Sequence, residues 1–112
     1  MDHVSREDVK SAAPIDGVEL SLLAAGEQAN IQHFRIDPGA TVPEHSHPHE
    51  QLGYLVAGRL TFLVDGEEVV VEAGDSYSFA GEEPHAVENR SETVAEGIDI
   101  FSPPRTDPDW AE

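Results

Sequence analysis

Gly39-Ala-Thr-Val-Pro-Glu-His45-Ser-His47-Pro-His49-Glu50-Gln51-Leu-Gly-Tyr-Leu-Val-Ala-Gly58 is the stretch on which the reading of this chain turns. Histidines stand at alternate positions 45, 47 and 49, and glycines bracket the segment. On an extended backbone, side chains two apart share a face. His45 and His47, with His49 beside them, would then point to one side of a strand and converge on a cation. Neutral imidazole is the commonest metal ligand and suits zinc, copper, iron and nickel. A histidine pair proves little by itself, so the missing ligands and a cavity have to come from the rest of the chain.

From Val18 onward, short apolar runs are separated by Gly, Pro, Asp and Asn. Strands are predicted over residues 18–24, 30–36, 41–44, 51–57, 60–64, 67–72, 76–79, 85–89 and 94–101. Asp65-Gly66 is a strong two-residue hairpin signal, and Gly58-Arg59 is a second candidate tight turn. The only helical signal is Ser5-Arg-Glu-Asp8, which can cap a single short turn before Pro14. Many short strands at this spacing argue an all-β sandwich or barrel. Residues 1–14 are expected to be peripheral, 15–101 to form the barrel and 102–112 to form a Pro-rich tail. Proline removes the donor a sheet ladder needs, so the tail should pack across the barrel mouth or reach a partner subunit.

A chain of 112 residues implies one domain with one core, and dimerisation is a natural way to cover more of it. With no cysteine, disulfides, thiolate metal sites and a cysteine nucleophile are ruled out. No apolar run approaches the roughly 20 residues of a membrane span, and Met1-Asp-His-Val-Ser-Arg-Glu7 lacks the apolar region of a signal peptide. These features predict a soluble cytoplasmic protein. Asp and Glu number 23 against six Lys and Arg, for a net charge of −17. Such a surface repels nucleic acid and anionic membranes. Self-repulsion at this charge is relieved at high salt, where the Debye length falls to about 3 Å at 1 M, so a halophilic host is expected.

A second segment, Gly74-Asp75-Ser-Tyr-Ser-Phe79-Ala-Gly81-Glu-Glu-Pro84-His85-Ala-Val-Glu-Asn89, reads as a turn opening a strand and a later turn delivering His85 onto the next. With the first stretch, it resembles the cupin family. The first family motif, Gly-x5-His-x-His-x3/4-Glu-x6-Gly, corresponds to Gly39, His45, His47, Gln51 and Gly58 with every spacing kept. The second, Gly-x5-Pro-x-Gly-x2-His-x3-Asn, corresponds to Gly74, Ala80, Glu82, His85 and Asn89, its proline and second glycine replaced. The resemblance implies a single-domain cupin, a small jelly-roll β-barrel of two antiparallel sheets. It also implies a divalent metal ion on His45, His47, Gln51 and His85, with nickel, zinc, iron and manganese all open. Gln51 stands where most metal cupins carry glutamate. Four neutral ligands leave the cation its full charge, which strengthens it as a Lewis acid and disfavours the higher oxidation states of oxygen chemistry.

Alternative readings of these side chains are plainer. The three histidines can be ordinary structural residues, and Gln51 can simply bond its neighbours. His49 follows Pro48 outside the family pattern and reads as a rim group. Glu50 competes with Gln51, but its spacing is one short and its parity opposite. His3 and His33 are isolated and read as structural or exposed. Tyr54, Phe62, Tyr77 and Phe79 are assigned to the core by default, with one of them able to line the pocket. In Glu96-Gly97-Ile98-Asp99-Ile100-Phe101 an acid interrupts an apolar run. If Ile98 and Ile100 face outward, Asp99 faces the barrel interior beside the metal, as a candidate functional group. A salt-bridged aspartate is the equal alternative. Arg105, on the stiff Pro-Pro segment, can serve as a carboxylate fork or as an exposed counter-charge.

Residues 45–54 together with Asp99-Ile-Phe-Ser-Pro-Pro-Arg105 resemble the small cupins of pectin and alginate breakdown, which convert 4,5-unsaturated uronate monosaccharides to linear ketonised sugars. That resemblance implies catalytic roles for Asp99 and Arg105, a small anionic sugar or carboxylate as substrate and a homodimer. The acidic charge balance, not the resemblance, predicts no partnership with nucleic acid or membrane. The expected activity is a metal-dependent, non-redox lyase or isomerase reaction. The alternatives are a cupin dioxygenase, another metal-dependent lyase or isomerase on a small carboxylate, and a non-catalytic sugar sensor.

Overall fold

The structure, a computed structural model, describes residues 1–106. A short 3-10 turn, Arg6–Asp8, precedes ten strands. They are β1 Ala12–Ile15, β2 Val18–Ala25, β3 Asn30–Ile36, β4 Thr41–His45, β5 Glu50–Ala57, β6 Arg59–Val64, β7 Glu67–Glu72, β8 Ser76–Phe79, β9 His85–Glu88 and β10 Ala95–Ser102. One antiparallel sheet runs β1-β2-β3-β10-β5-β8 and faces a second of order β4-β9-β6-β7. The predicted two-sheet all-β fold is the fold observed.

Alternation explains which face of each strand is buried. On β10 the residues Ala95, Gly97, Asp99 and Phe101 point inward while Glu96, Ile98 and Ile100 point out. On β5 Gln51, Gly53 and Leu55 point inward, which sends Leu52, Tyr54 and Val56 to the outer face. Tyr54 is therefore 45% exposed, a correction to its assignment to the core: its parity on β5 is that of Leu52. Phe62 and Phe79 join Val18, Phe34, Leu55, Leu60 and Val87 in the core between the sheets. Leu55 is fully buried, and removing a side chain of that size from such a site costs about 2–5 kcal/mol.

Asp65 and Gly66 take φ of 52° and 77°, the left-handed pair that a two-residue turn needs to join β6 to β7. The strand β1 had no counterpart in the sequence reading, where residues up to 14 were expected to be peripheral. It carries Pro14 and pairs only with β2, and an edge is where a sheet tolerates proline. At the turn before it, Ser5 makes no side-chain capping bond. Arg6 instead reaches the outer sheet face, where its Nε–H donates to His33 Nδ1 at 3.1 Å and its Nη2 pairs with Glu19. His33 Nε2 then donates to Glu96 at 2.7 Å, so this histidine is structural. Among the described residues, no helix is long and apolar enough to cross a membrane.

Candidate metal centre

The two sheets meet at one end of the barrel, and each contributes to the site. His45 ends β4 and His85 opens β9, paired directly across the smaller sheet. Between Val42 and His45 the register slips, three residues on β4 matching two on β9. Such a bulge re-aims side chains, and it lets both Val42 and His45 face the interior. His47 lies beyond the strand, in the 46–49 connection that crosses to β5. A single extended strand through both histidines was expected; a bulge and a turn bring them together instead. The loop before His85 is stitched to this connection by the backbone N–H of Glu82, which donates to His47 O at 2.7 Å.

Each imidazole is held by a backbone carbonyl. His45 Nδ1 lies 3.0 Å from Pro43 O, His47 Nδ1 3.0 Å from His49 O and His85 Nδ1 2.8 Å from Glu83 O. A carbonyl only accepts, so each Nδ1 carries the proton and each Nε2 keeps its lone pair. Potential ligand atoms of the three residues lie within 4.8 Å of one another. His85 stacks on Phe79 with the planes 6° apart, and His47 meets the edge of Phe101. Burial pulls the His85 pKa down to about 4 and lowers that of His47. The His47 and His85 imidazoles are thus kept neutral near pH 7, the form in which they bind metals.

The larger sheet supplies Gln51 and Asp99, both buried. Asp99 accepts a hydrogen bond from Gln51 and another from Tyr77 Oη at 2.8 Å. Burial raises the Asp99 pKa to about 6, against the opposing pull of Tyr77, Gln51 and Arg105. Because the Gln51 amide N–H is given to Asp99, its Oε1 faces His47 Nε2, 3.0 Å away. Arg105 lies at the rim, its guanidinium 5.4 Å from the Phe101 ring centroid and its backbone N–H donating to Asn30 Oδ1. His49 donates from Nδ1 to Pro103 O at 3.0 Å, so it ties the start of the tail to the site mouth. The remainder of the expected tail, residues 107–112, lies outside the described residues.

A cavity of about 100 Å³ runs between the sheets, lined at one end by His45, His85, Gln51 and Asp99 and elsewhere by core side chains such as Phe34 and Leu60. A space of that size takes part of a small molecule. Residues 32–101, more than half of the chain, match the family model described as Cupin domain. The chain is a cupin. It is 29% identical over 93 residues to the pectin degradation protein KdgF of Dickeya dadantii, a match spanning 82% of this chain and 84% of the relative. Among solved structures it is similar to KdgF from Halomonas sp., with a TM-score of 0.86 at 24% identity, covering 96% of this chain and 97% of that one. An RmlC-like cupin from Shewanella frigidimarina superposes with a TM-score of 0.83 at 30% identity, over 96% of each chain.

The donor set of this cupin suits a metal ion on three observations. His85 Nε2 is buried without a hydrogen-bond partner. Each Nδ1–H is given to a carbonyl, the arrangement that fixes ligating histidines. His47 Nε2 and Gln51 Oε1 face each other at 3.0 Å as two acceptors, a contact that a cation relieves. Glu50 is exposed and outside this group, whereas Gln51 is buried within it.

Two further side chains line the site, and neither was given a specific part in it from the sequence. Tyr77, one of four aromatics assigned to the core with one able to line the pocket, does line it and is the hydroxyl donor to Asp99; the signal for that role was Gly53, a glycine inside a strand. Gln32 lines the same cavity, and the signal was a polar residue sharing a strand face with Phe34 and Ile36.

Proposed function

We propose that this cupin opens and ketonises a 4,5-unsaturated uronate monosaccharide, with a divalent ion held by His45, His47, Gln51 and His85. The observation that carries the proposal is Asp99, a buried carboxylate in the cavity wall that is hydrogen-bonded to Gln51 and Tyr77 beside the converging imidazoles. The likeness to the pectin degradation protein KdgF of Dickeya dadantii supports the substrate class.

Asp99 takes the proton from the C1 hydroxyl of the hemiacetal ring. The C1–O5 bond breaks, C1 becomes an aldehyde and its electron pair goes to O5, the oxygen on the C4=C5 double bond. The resulting enolate collapses to a ketone at C5 as Asp99 returns the proton to C4. Nothing is gained or lost, so the reaction is an isomerisation that needs no redox partner. Tyr77 and Gln51 hold the carboxylate in place throughout. Arg105, close enough to lower the pKa of both Asp99 and His47, pairs with the C6 carboxylate at the rim and fixes the sugar's orientation. A bound divalent ion supplies positive charge where oxygen becomes negative.

The test is the ultraviolet absorbance of the conjugated C4=C5 bond in a freshly made unsaturated uronate. Catalysed loss of absorbance, abolished by a chelator and restored by metal, is expected. A decay no faster than the protein-free control contradicts the proposal. Oxygen uptake by the Fe(II)-loaded protein would place it with the cupin dioxygenases instead.

A further inference from the structure

Gln32 stands on β3 with Phe34 and Ile36 on its face, and it lines the cavity beside Asp99. The two are direct partners across the β3–β10 ladder. Gln32 is only 5% exposed, and its Oε1 has no hydrogen-bond partner among the described groups. A buried carbonyl without a partner is destabilising, and an apolar side chain of similar size would remove the penalty. Gln32 and Asp99 thus set two acceptors side by side in the wall, one of them unsatisfied. A ligand that meets both must bring two neighbouring donors, which is what hydroxyls on adjacent carbons supply.

We infer that Gln32 is a specificity-determining residue: its carbonyl accepts a hydrogen bond from the ligand hydroxyl next to the one that Asp99 serves. The inference rests on the proposed reaction for its substrate class. It adds that the site selects vicinal diols and rejects the analogue deoxygenated at the neighbouring carbon. Sites that hydrogen-bond a substrate hydroxyl discriminate strongly against its absence, because the protein group is left unpaired.

The test compares metal-loaded wild type with Gln32→Met. The variant is expected to melt higher without ligand, by about 5 °C, because an unsatisfied buried carbonyl has gone. Its KM for the unsaturated uronate is expected to rise roughly tenfold with kcat and metal content held, the signature of lost binding made equally in ground and transition states. Wild type should discriminate against the deoxy analogue, and Gln32→Met should not. A wild type without turnover removes the proposed reaction but not this inference, because the calorimetric Kd of galacturonate then replaces KM. A lowered melting temperature, an unchanged KM or Kd, or no binding of galacturonate to wild type would each overturn the assignment of Gln32.

Discussion

Tyr77 Oη donates a 2.8 Å hydrogen bond to Asp99 Oδ1 across an intervening strand, and it can do so because Gly53 lies between them. A Cβ on Gly53 would sit 2.0 Å from the tyrosine ring. The ring therefore lies over bare backbone, and sheet register alone aims the hydroxyl at the carboxylate. Tyr77→Phe keeps the ring and removes the donor. Its kcat is expected to fall about tenfold, corresponding to about 1.4 kcal/mol, with metal content unchanged. Gly53→Ala should displace the ring and lower stability by about 1–3 kcal/mol, read as a fall in the denaturation midpoint. Wild-type kcat in Tyr77→Phe would leave the hydroxyl without a part in the reaction.

Asp99 gives a pH dependence with a definite sign. The folded chain holds its proton up to about pH 6, against an ordinary value of 3.8. Below about pH 4 both folded and unfolded states are protonated and the group makes no difference to stability. As pH rises from there the unfolded state loses its proton first, so stability falls until the folded carboxyl also ionises. Two pKa units correspond to about 3 kcal/mol. Metal-free Asp99→Asn is therefore expected to resist urea better than metal-free wild type at pH 8, with the advantage gone near pH 4. Equal midpoints at pH 8 would show that the buried charge is not costly.

Gln51→Glu tests why this ligand position is neutral. A carboxylate there would face Asp99, to which Gln51 now donates, and two adjacent carboxylates cannot both ionise freely. It would also cancel one unit of the ion's charge. Chelator competition is expected to show metal held at least as tightly, while turnover drops roughly tenfold or more. Full turnover would make the neutrality of the site irrelevant to the chemistry.

The net charge of −17 on 112 residues makes a prediction about salt. Raising KCl from about 0.1 M to about 1 M shortens the Debye length from about 10 Å to about 3 Å and screens the repulsion between surface carboxylates. The melting temperature is expected to climb across that range. A flat or falling curve contradicts the expectation of a high-salt host.

Much of the site was legible because ligand spacing and strand parity are properties of the sequence. Gln51 was separated from Glu50 by parity, and burial follows that choice. Parity set Asp99 on the face opposite Ile98 and Ile100 but left open which face is the interior, and the structure turns Asp99 inward. What the sequence could not give was anything decided across strands. Tyr77 meets Asp99 through a register that involves β8, β5 and β10 at once. His45 and His47 converge through a bulge that one-dimensional alternation does not reveal. The second family motif lost its glycine at Glu82, yet the backbone there keeps φ at 68°, a left-handed conformation that glycine adopts without strain. The loop is held by the His47 O bond to the Glu82 N–H, a tertiary contact that overrides the residue's own preference.

The central claim is that the imidazoles of His45, His47 and His85 and the amide of Gln51 hold one divalent ion beside Asp99. Native mass spectrometry of wild type, His85→Ala and Asp99→Asn, each dialysed against the same metal, tests it most directly. One ion per chain is expected in wild type and in Asp99→Asn, and none in His85→Ala. Equal metal in His85→Ala and wild type, or none in wild type, would contradict the account.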